Sequence, residues 1–302
     1  MLLTDSHCHL DFDTFSHELE SLLKQCYQSG IHRIIIPAIS PDNWDKVLNL
    51  SNLSKLNTVQ FSASPLLSYN TQLDSSSEKT SEKITNKNTE ESVIQKSAQI
   101  FACLGIHPWF MKDLDESALD SLSLKVAEHA EDIVAIGETG LDKVIADEQN
   151  NLNQQIAFFE HHLYLSDQHN LPVIIHHRRS HELIIPLLKK YKVKSGGVIH
   201  AFSGSYQQAK SYVDLGFKLG VGGTITYDRA QKTIKAIKKL PLESLLLETD
   251  APSMPLQGFQ GEDNTPLQLV NIVNCLNDIR PESLADITQT IENNIDSLFF
   301  NR

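Results

Sequence analysis

Short apolar runs alternate with longer amphipathic segments along almost the whole sequence. Eight of these runs have the length and composition of buried strands, HRIIIP and LPVIIHHR among them. Their starts are commonly about 30 residues apart, the size of one βα repeat. Helical spacing of apolar residues occurs between several of them, as at Leu152, Ile156 and Phe159. This alternation is typical of a parallel sheet, and eight repeats predict a closed TIM (β/α)8 barrel of the α/β class.

The composition is that of an ordinary globular protein. The chain has 302 residues, of which 40% are hydrophobic and 21% charged, so one domain spanning residues 1–302 is expected. No basic leader precedes a long apolar run, and no stretch approaches the ~18 apolar residues of a membrane span. The four cysteines lack CxxC spacing, which argues against a disulfide framework. We expect a cytoplasmic protein with no membrane association, and no stable protein partner is indicated.

One segment, at about residues 68–99, interrupts the alternation of predicted strands and helices. It is polar, rich in serine and nearly free of large apolar residues, so it cannot bury enough surface to offset the entropy of ordering. The sequence therefore predicts a mobile insertion before the third strand. A tolerated surface excursion is favoured over a functional lid, and both interpretations stay open.

Histidines and carboxylates stand where the predicted strands end. His7 and His9 follow the first strand, and side chains at alternate strand positions share one face. The other strand ends carry Glu138, His176, His200 and Asp250. Each residue alone has an ordinary explanation as a buried core histidine or a helix-capping carboxylate. Because the carboxyl ends of barrel strands open onto one face, we expect all six to meet there.

Nitrogen and carboxylate donors together indicate a divalent metal. They suit Zn²⁺, Mn²⁺ or Fe²⁺, and the carboxylates also admit Mg²⁺. Six ligands exceed what one catalytic ion with an open position needs, but they suit two ions about 3.5 to 4 Å apart that share a carboxylate. The net charge of −12 argues against a broad electrostatic grip on nucleic acid. It does not exclude a nucleic-acid substrate, because bound cations supply positive charge at the site.

Six motifs resemble those of the TatD family of metal-dependent hydrolases, in the family's order and over almost the whole chain outside the insertion. They are DSHCHLD (5–11), GIHP (105–108), GETGLD (137–142), LPVIIHHR (171–178), HAFSG (200–204) and ETDAP (248–252). The stretches GVGGTITYDRAQKT and LPLESLLLETDAPSMPLQGFQG are similar to a YjjV-type subgroup of that family.

The resemblance implies a TatD-type deoxyribonuclease that cleaves phosphodiester bonds, as a 3′–5′ exonuclease, through water activated by two divalent ions (Mg²⁺, Mn²⁺ or Zn²⁺). The implied ligands are His7, His9 and Asp250 for one ion and His176 and His200 for the other, with Glu138 as the bridge. His177 stands where family members often have a small or polar residue, so the resemblance assigns the ligand to His176, the first of the pair. Asp250 is the expected general base, and a purely ligating role for it stays open.

Two further residues are candidates for substrate binding. His107 lies in the family's GxHP segment, and the Arg178 guanidinium can hold a phosphate through two hydrogen bonds. A surface or packing role is an equal alternative for both. Trp109 is interpreted as a packing aromatic in preference to a platform for a base.

The loop GFQGEDNTP departs from the family pattern. Many members carry basic residues there, whereas this chain has Glu262 and Asp263. An acidic loop leaves open a second function, a metal-dependent ester or amide hydrolase such as an aminoacyl-tRNA deacylase. A non-catalytic metal-holding protein would be indicated by a broken ligand set, and all six positions are filled.

Overall fold

Eight parallel strands form one sheet, in chain order, in the computed structural model, which describes residues 2–59 and 96–301. The strands are β1 (Leu3–Asp5), β2 (Ile31–Pro37), β3 (Gln99–Leu104), β4 (Ile133–Asp142), β5 (Val173–Arg178), β6 (Gly197–Ile199), β7 (Phe217–Val221) and β8 (Leu245–Leu247). Just after β1, the Ser6 backbone N–H donates to the Leu247 carbonyl at the end of β8, at 2.9 Å. The sheet is therefore a nearly closed barrel, and the predicted TIM barrel is confirmed.

Helices connect the strands and cover the outside of the barrel. In the described part of the chain they are α1 (Leu19–Gln28), α2 (Trp44–Val59), α3 (Ser117–Glu128), α4 (Lys143–Gln149), α5 (Leu152–His169), α6 (His181–Tyr191), α7 (Tyr206–Val213), α8 (Gln231–Lys239), α9 (Leu269–Ile279) and α10 (Leu284–Ile295). The helix predicted around Ile156 is α5. The two helices predicted at the end of the chain are α9 and α10.

Side-chain alternation along the strands separates two apolar clusters. The inner cluster combines residues of six strands with residues near the end of the chain. The strand residues are Ile35, Cys103, Val134, Ala135, Ile174, Val198 and Leu246, and the others are Ile295, Leu298 and Phe299. The neighbouring strand positions belong to a larger cluster that packs against the helices. The barrel interior is thus a filled core, as expected of an eight-stranded barrel.

The C-terminal segment covers the amino-terminal end of the barrel. Arg33, near the start of β2, forms ion pairs with Glu292 at 2.7 Å and Asp296 at 2.6 Å. The opposite end, where the strands finish, is left for the loops. Because Ile174 faces the interior, His176 and Arg178 share its inward face of β5, and His177 faces the helices.

The predicted insertion at about 68–99 lies outside the described residues except for its last four positions, where Gln99 begins β3. Its mobility stays a prediction. Among residues 2–59 and 96–301, no helix combines the length and apolar character needed to cross a membrane.

Candidate metal centre

The six predicted ligands converge at the carboxyl ends of the strands. The Nε2 atoms of His7 and His9 lie 3.2 Å apart, and each is 3.6 Å from Oδ1 of Asp250. Nε2 of His200 is 3.7 Å from the same oxygen. The three histidines are buried, and 14% of the Asp250 side chain is exposed. Asp250 is therefore placed where a buried cluster meets solvent.

Glu138 stands between two groups of histidines, one on each carboxylate oxygen. Its Oε2 lies 3.1 Å from Nε2 of His7 and 3.6 Å from Nε2 of His9. Its Oε1 lies 3.3 Å from Nδ1 of His176 and 4.0 Å from Nε2 of His200. One carboxylate thus faces histidines from both of the ligand sets that the family resemblance implies.

A bulge in β4 presents Glu138 to the barrel mouth. The register between β4 and β5 shifts between Ile136 and Thr139, which places an extra residue in β4. Gly137 has a φ of 147°, and a Cβ there would lie 2.8 Å from Cβ of Ile174. A bulge of this kind redirects a side chain, and here only glycine meets both its backbone angle and its close packing.

Hydrogen bonds between the segments that follow β1 and β8 fix Asp250 relative to His7. The Asp250 backbone N–H donates to the His7 carbonyl at 2.8 Å. The Asp5 carboxylate accepts from the Thr249 backbone N–H at 3.0 Å and from its hydroxyl at 2.6 Å. Burial raises the pKa of Asp5 to about 7, against the opposing effect of these bonds. Asp250 itself has a φ of 58°, in the left-handed region that aspartate and asparagine adopt more readily than most residues.

The structure also shows a buried carboxylate, Glu248, that the sequence reasoning missed. Its Oε1 lies 3.1 Å from Nδ1 of His200 and accepts the Ala201 backbone N–H at 2.5 Å. Burial opposes protonation of His200, but Glu248 and Asp250 raise its pKa to about 10. A Cβ on Gly220 would lie 2.2 Å from Glu248 Oε2, so this glycine leaves room for the carboxylate. Carboxylates in this position orient metal-binding histidines.

We expect Glu248→Gln to weaken divalent-metal affinity by about 10- to 100-fold, because the neutral amide no longer orients and polarises His200. The amide oxygen can still accept the Ala201 N–H, so the fold should persist. Isothermal titration with Zn²⁺ and Mn²⁺ measures the affinity, and thermal melting of metal-free protein checks the fold. Exposed Glu243 supplies the matched control, Glu243→Gln. Unchanged affinity in the Glu248 variant would show that His200 does not depend on it.

His176 and His177 face opposite sides of β5. Nδ1 of His176 lies 3.3 Å from Glu138 Oε1, and its Nε2 lies 3.3 Å from Oδ2 of Asp142. The His177 ring instead packs outside the barrel, 4.4 Å from the His181 ring and 6.0 Å from Phe202. The structure therefore brings His176, and not His177, to the other predicted ligands.

His176→Ala should lose about half of the bound metal, since one of the two proposed ions loses a ligand, whereas His177→Ala should retain nearly all of it. Elemental analysis of the dialysed proteins gives the metal-to-protein ratio. A melting curve for each variant separates metal loss from unfolding. Equal loss in both variants would mean that the assignment of His176 is wrong.

The donor set fits divalent ions. Three groups of side chains each bring their donor atoms within 4.8 Å of one another: His7, His9 and Glu138; His107, Glu138 and His176; and His7, His200 and Glu248. The rings of His7 and His200 are stacked 3.5 Å apart, and burial and His200 lower the pKa of His7. A divalent cation would be stabilised among these nitrogen and carboxylate atoms, and its binding would displace the proton from a histidine that carries one, such as His200.

His107 also lies inside the cluster, but its tautomer makes the ring a hydrogen-bond donor and not a metal ligand. Nδ1 accepts the Trp109 backbone N–H at 3.1 Å, so the proton of the neutral ring is on Nε2. That atom lies 3.5 Å from Glu138 Oε1, and burial lowers the pKa of His107 well below its ordinary value. A protonated nitrogen donates hydrogen bonds and does not bind a metal. His107 is therefore placed to contact an oxygen of a substrate, and that role stays a prediction.

Arg178 lies at the rim of the same site. Its side chain is 51% exposed, and one guanidinium nitrogen is 3.9 Å from Oδ2 of the buried Asp142. The guanidinium thus keeps most of its donors free for an anion from solvent. Its part in substrate binding also stays a prediction.

Comparison with known proteins agrees with this geometry. The family model described as TatD related DNase matches residues 4–300. A relative from Escherichia coli (strain K12), named uncharacterized metal-dependent hydrolase YjjV, is 37% identical over 295 residues, covering 98% of this chain and 96% of the relative. A Haemophilus influenzae metal-dependent hydrolase is 46% identical over 181 residues, 59% of this chain and 69% of the relative.

Solved structures give the same fold. The crystal structure of E. coli YjjV superposes with a TM-score of 0.80 at 36% identity, covering 98% of this chain and 97% of that one. A TatD family hydrolase from Entamoeba histolytica gives a TM-score of 0.78 at 18% identity, covering 100% and 99%, and supports the fold alone. By the extent of these matches, the chain belongs to the TatD family and is a metal-dependent hydrolase of that family.

Proposed function

We propose that the protein is a deoxyribonuclease that cleaves phosphodiester bonds from the 3′ end of single-stranded DNA, using two divalent ions. The observation that carries this proposal is the position of Glu138, whose Oε2 faces His7 and His9 while its Oε1 faces His176. Two ions that share a carboxylate suit in-line displacement at phosphorus. The description of the matching family model, TatD related DNase, supports the choice of bond.

The proposed ligand sets are His7, His9 and Asp250 for one ion, and His176 and His200 for the other, with Glu138 between them. Divalent ions bound there would activate a water molecule and neutralise charge on the attacking and leaving oxygens. Asp250 is the general base that takes the proton of this water. Nε2–H of His107 donates a hydrogen bond to a phosphoryl oxygen, and Arg178 holds a neighbouring phosphate.

A second candidate is hydrolysis of a carboxylic ester or amide, such as an aminoacyl ester on tRNA. Glu262 and Asp263 are exposed in the loop that follows β8, and they repel a phosphate approaching from that side. The same activated water can attack a carbonyl carbon. This candidate keeps the metal centre and changes only the bond that is cut.

The test is release of nucleotides from single-stranded DNA labelled at either end, with Mg²⁺, Mn²⁺ and Zn²⁺ supplied separately to chelator-treated protein. Metal-dependent shortening from the 3′ end is expected. Intact DNA with all three ions, from protein shown to contain metal, would contradict the nuclease proposal. Hydrolysis of an aminoacyl ester by that same preparation would support the second candidate.

A further inference from the structure

Trp109 is exposed to solvent beside the buried site. It belongs to a short 3₁₀ helix, Pro108–Phe110, that follows β3, and 46% of its surface is accessible. The sequence favoured a packing role, in which the indole would be covered. The chain has two tryptophans, and the other, Trp44, is 5% exposed. Trp109 is therefore not covered as a packing aromatic would be, and its free face lies beside the site.

The indole is held in place. Its Nε1–H donates to Oδ2 of Asp142 at 2.6 Å, and its backbone N–H donates to His107. The ring meets the His107 ring edge-on, with centroids 5.4 Å apart, and the His176 ring at 6.3 Å. An exposed aromatic that is fixed in this way loses little conformational entropy when a ligand stacks on it.

Asp142 connects this indole to the metal centre. The oxygen that accepts from Trp109 also lies 3.3 Å from Nε2 of His176 and 3.9 Å from the guanidinium of Arg178. One carboxylate thus positions a predicted ligand, an exposed cation and an exposed aromatic face side by side.

We propose that Trp109 is the stacking platform for a base of a single-stranded nucleic acid, with Arg178 binding the adjacent phosphate. This inference rests on the proposed nuclease function. It specifies that the site recognises an unpaired base and its adjacent phosphate. Every nucleobase offers a π-face, so a single aromatic platform binds single strands with little sequence preference. A paired base is already stacked on its neighbours, and the platform therefore favours unpaired ends.

Fluorescence measures this contact directly, because the second tryptophan is buried. Asp250→Asn protein with Mg²⁺ is titrated with a short oligothymidylate and with an abasic oligonucleotide of the same length and charge. The oligothymidylate should quench the emission and bind about 5- to 100-fold more tightly than the abasic strand. Trp109→Leu in the same background, monitored by fluorescence anisotropy of labelled strands, should bind both strands alike. Equal affinity of the Trp109-containing protein for the two strands overturns the proposal.

Cleavage kinetics separate stacking from a structural role of the indole. Trp109→Leu should raise KM for oligothymidylate by about 5- to 100-fold more than it raises KM for the abasic strand. Trp109→Phe loses the hydrogen bond to Asp142 but keeps an aromatic face. Because stacking needs only that face, this variant should recover most of the affinity for oligothymidylate. Tyr164→Ala, which removes an aromatic residue that is 52% exposed on α5, is the matched control. Loss of cleavage of both strands in Trp109→Leu would indicate a structural role and overturn the platform.

The two proposals fail in different ways. Wild-type protein that cleaves both strands at equal rates, and is unaffected by Trp109→Leu, keeps the nuclease function and loses the platform. Wild-type protein that cleaves neither strand loses the nuclease function. Binding of the two strands still decides whether Trp109 contacts a base.

Discussion

Glu138→Gln is expected to lose most of the bound metal and to lower turnover by about a thousandfold or more. Burial opposes ionisation of Glu138, but hydrogen bonds from His176 and His7 help to hold its pKa well below its ordinary value, so the native side chain is a carboxylate. The amide that replaces it has one good ligand oxygen and no charge, and cannot serve both groups of histidines. Stabilisation of transition-state charge by metal ions is worth several kcal/mol, and about 1.4 kcal/mol corresponds to a factor of ten.

Metal content and hydrolysis of labelled DNA should be measured on the same preparation of the Glu138 variant. Glu131→Gln is the matched control, since Glu131 is exposed just before β4 and contributes nothing to the site. Melting of both metal-free proteins shows whether the substituted site still folds. Retention of a full complement of metal in Glu138→Gln would contradict the bridging position. Loss of metal with full activity would separate the reaction from this centre.

The barrel could be predicted because its strands are short, apolar and evenly spaced. The run HRIIIP corresponds to β2, and LPVIIHHR contains β5, with differences of one or two residues at the ends. Parallel strands buried on both faces read as continuous apolar runs, and such runs are visible without a structure. The strand-end rule then brought together residues as distant as His7 and Asp250.

The sequence alone does not show which side chains of β5 point into the barrel. LPVIIHHR is apolar on both faces, so period-two alternation does not tell which histidine points inward. The structure decides this through Ile174, which packs in the barrel interior and fixes the inward direction of His176. The residue type that family members often have at the position of His177 favoured the same assignment, but that argument was one of resemblance and not of geometry.

The supporting residues were missed because their partners are distant in sequence. Glu248 acts on His200, and Asp142 lies between Trp109 and His176. Both carboxylates stand in motifs that were noticed, yet a motif does not say which side chain a carboxylate contacts. The bulge at Gly137 is equally hidden, because an extra residue in β4 is defined only by its pairing with β5.

Asp250→Asn is expected to lower turnover by about 100- to 10,000-fold while most of the metal stays bound. The asparagine side chain has the same shape and keeps an oxygen where Oδ1 lies 3.6 Å from Nε2 of His7 and 3.7 Å from Nε2 of His200. An amide cannot accept the proton of the attacking water at neutral pH. The backbone should tolerate the change, because asparagine adopts a φ of 58° readily and the N–H bond to the His7 carbonyl does not involve the side chain.

The measurement for Asp250 pairs elemental analysis with kcat and KM on labelled single-stranded DNA. Asp278→Asn, which changes an exposed carboxylate near the end of α9, is the matched control and should behave as the wild type. A fall in kcat at unchanged metal content supports proton transfer to Asp250. Parallel loss of metal and activity would make Asp250 a ligand alone. Full activity at full metal content would remove it from the reaction, and the base would then have to be sought among the other residues that face the cluster.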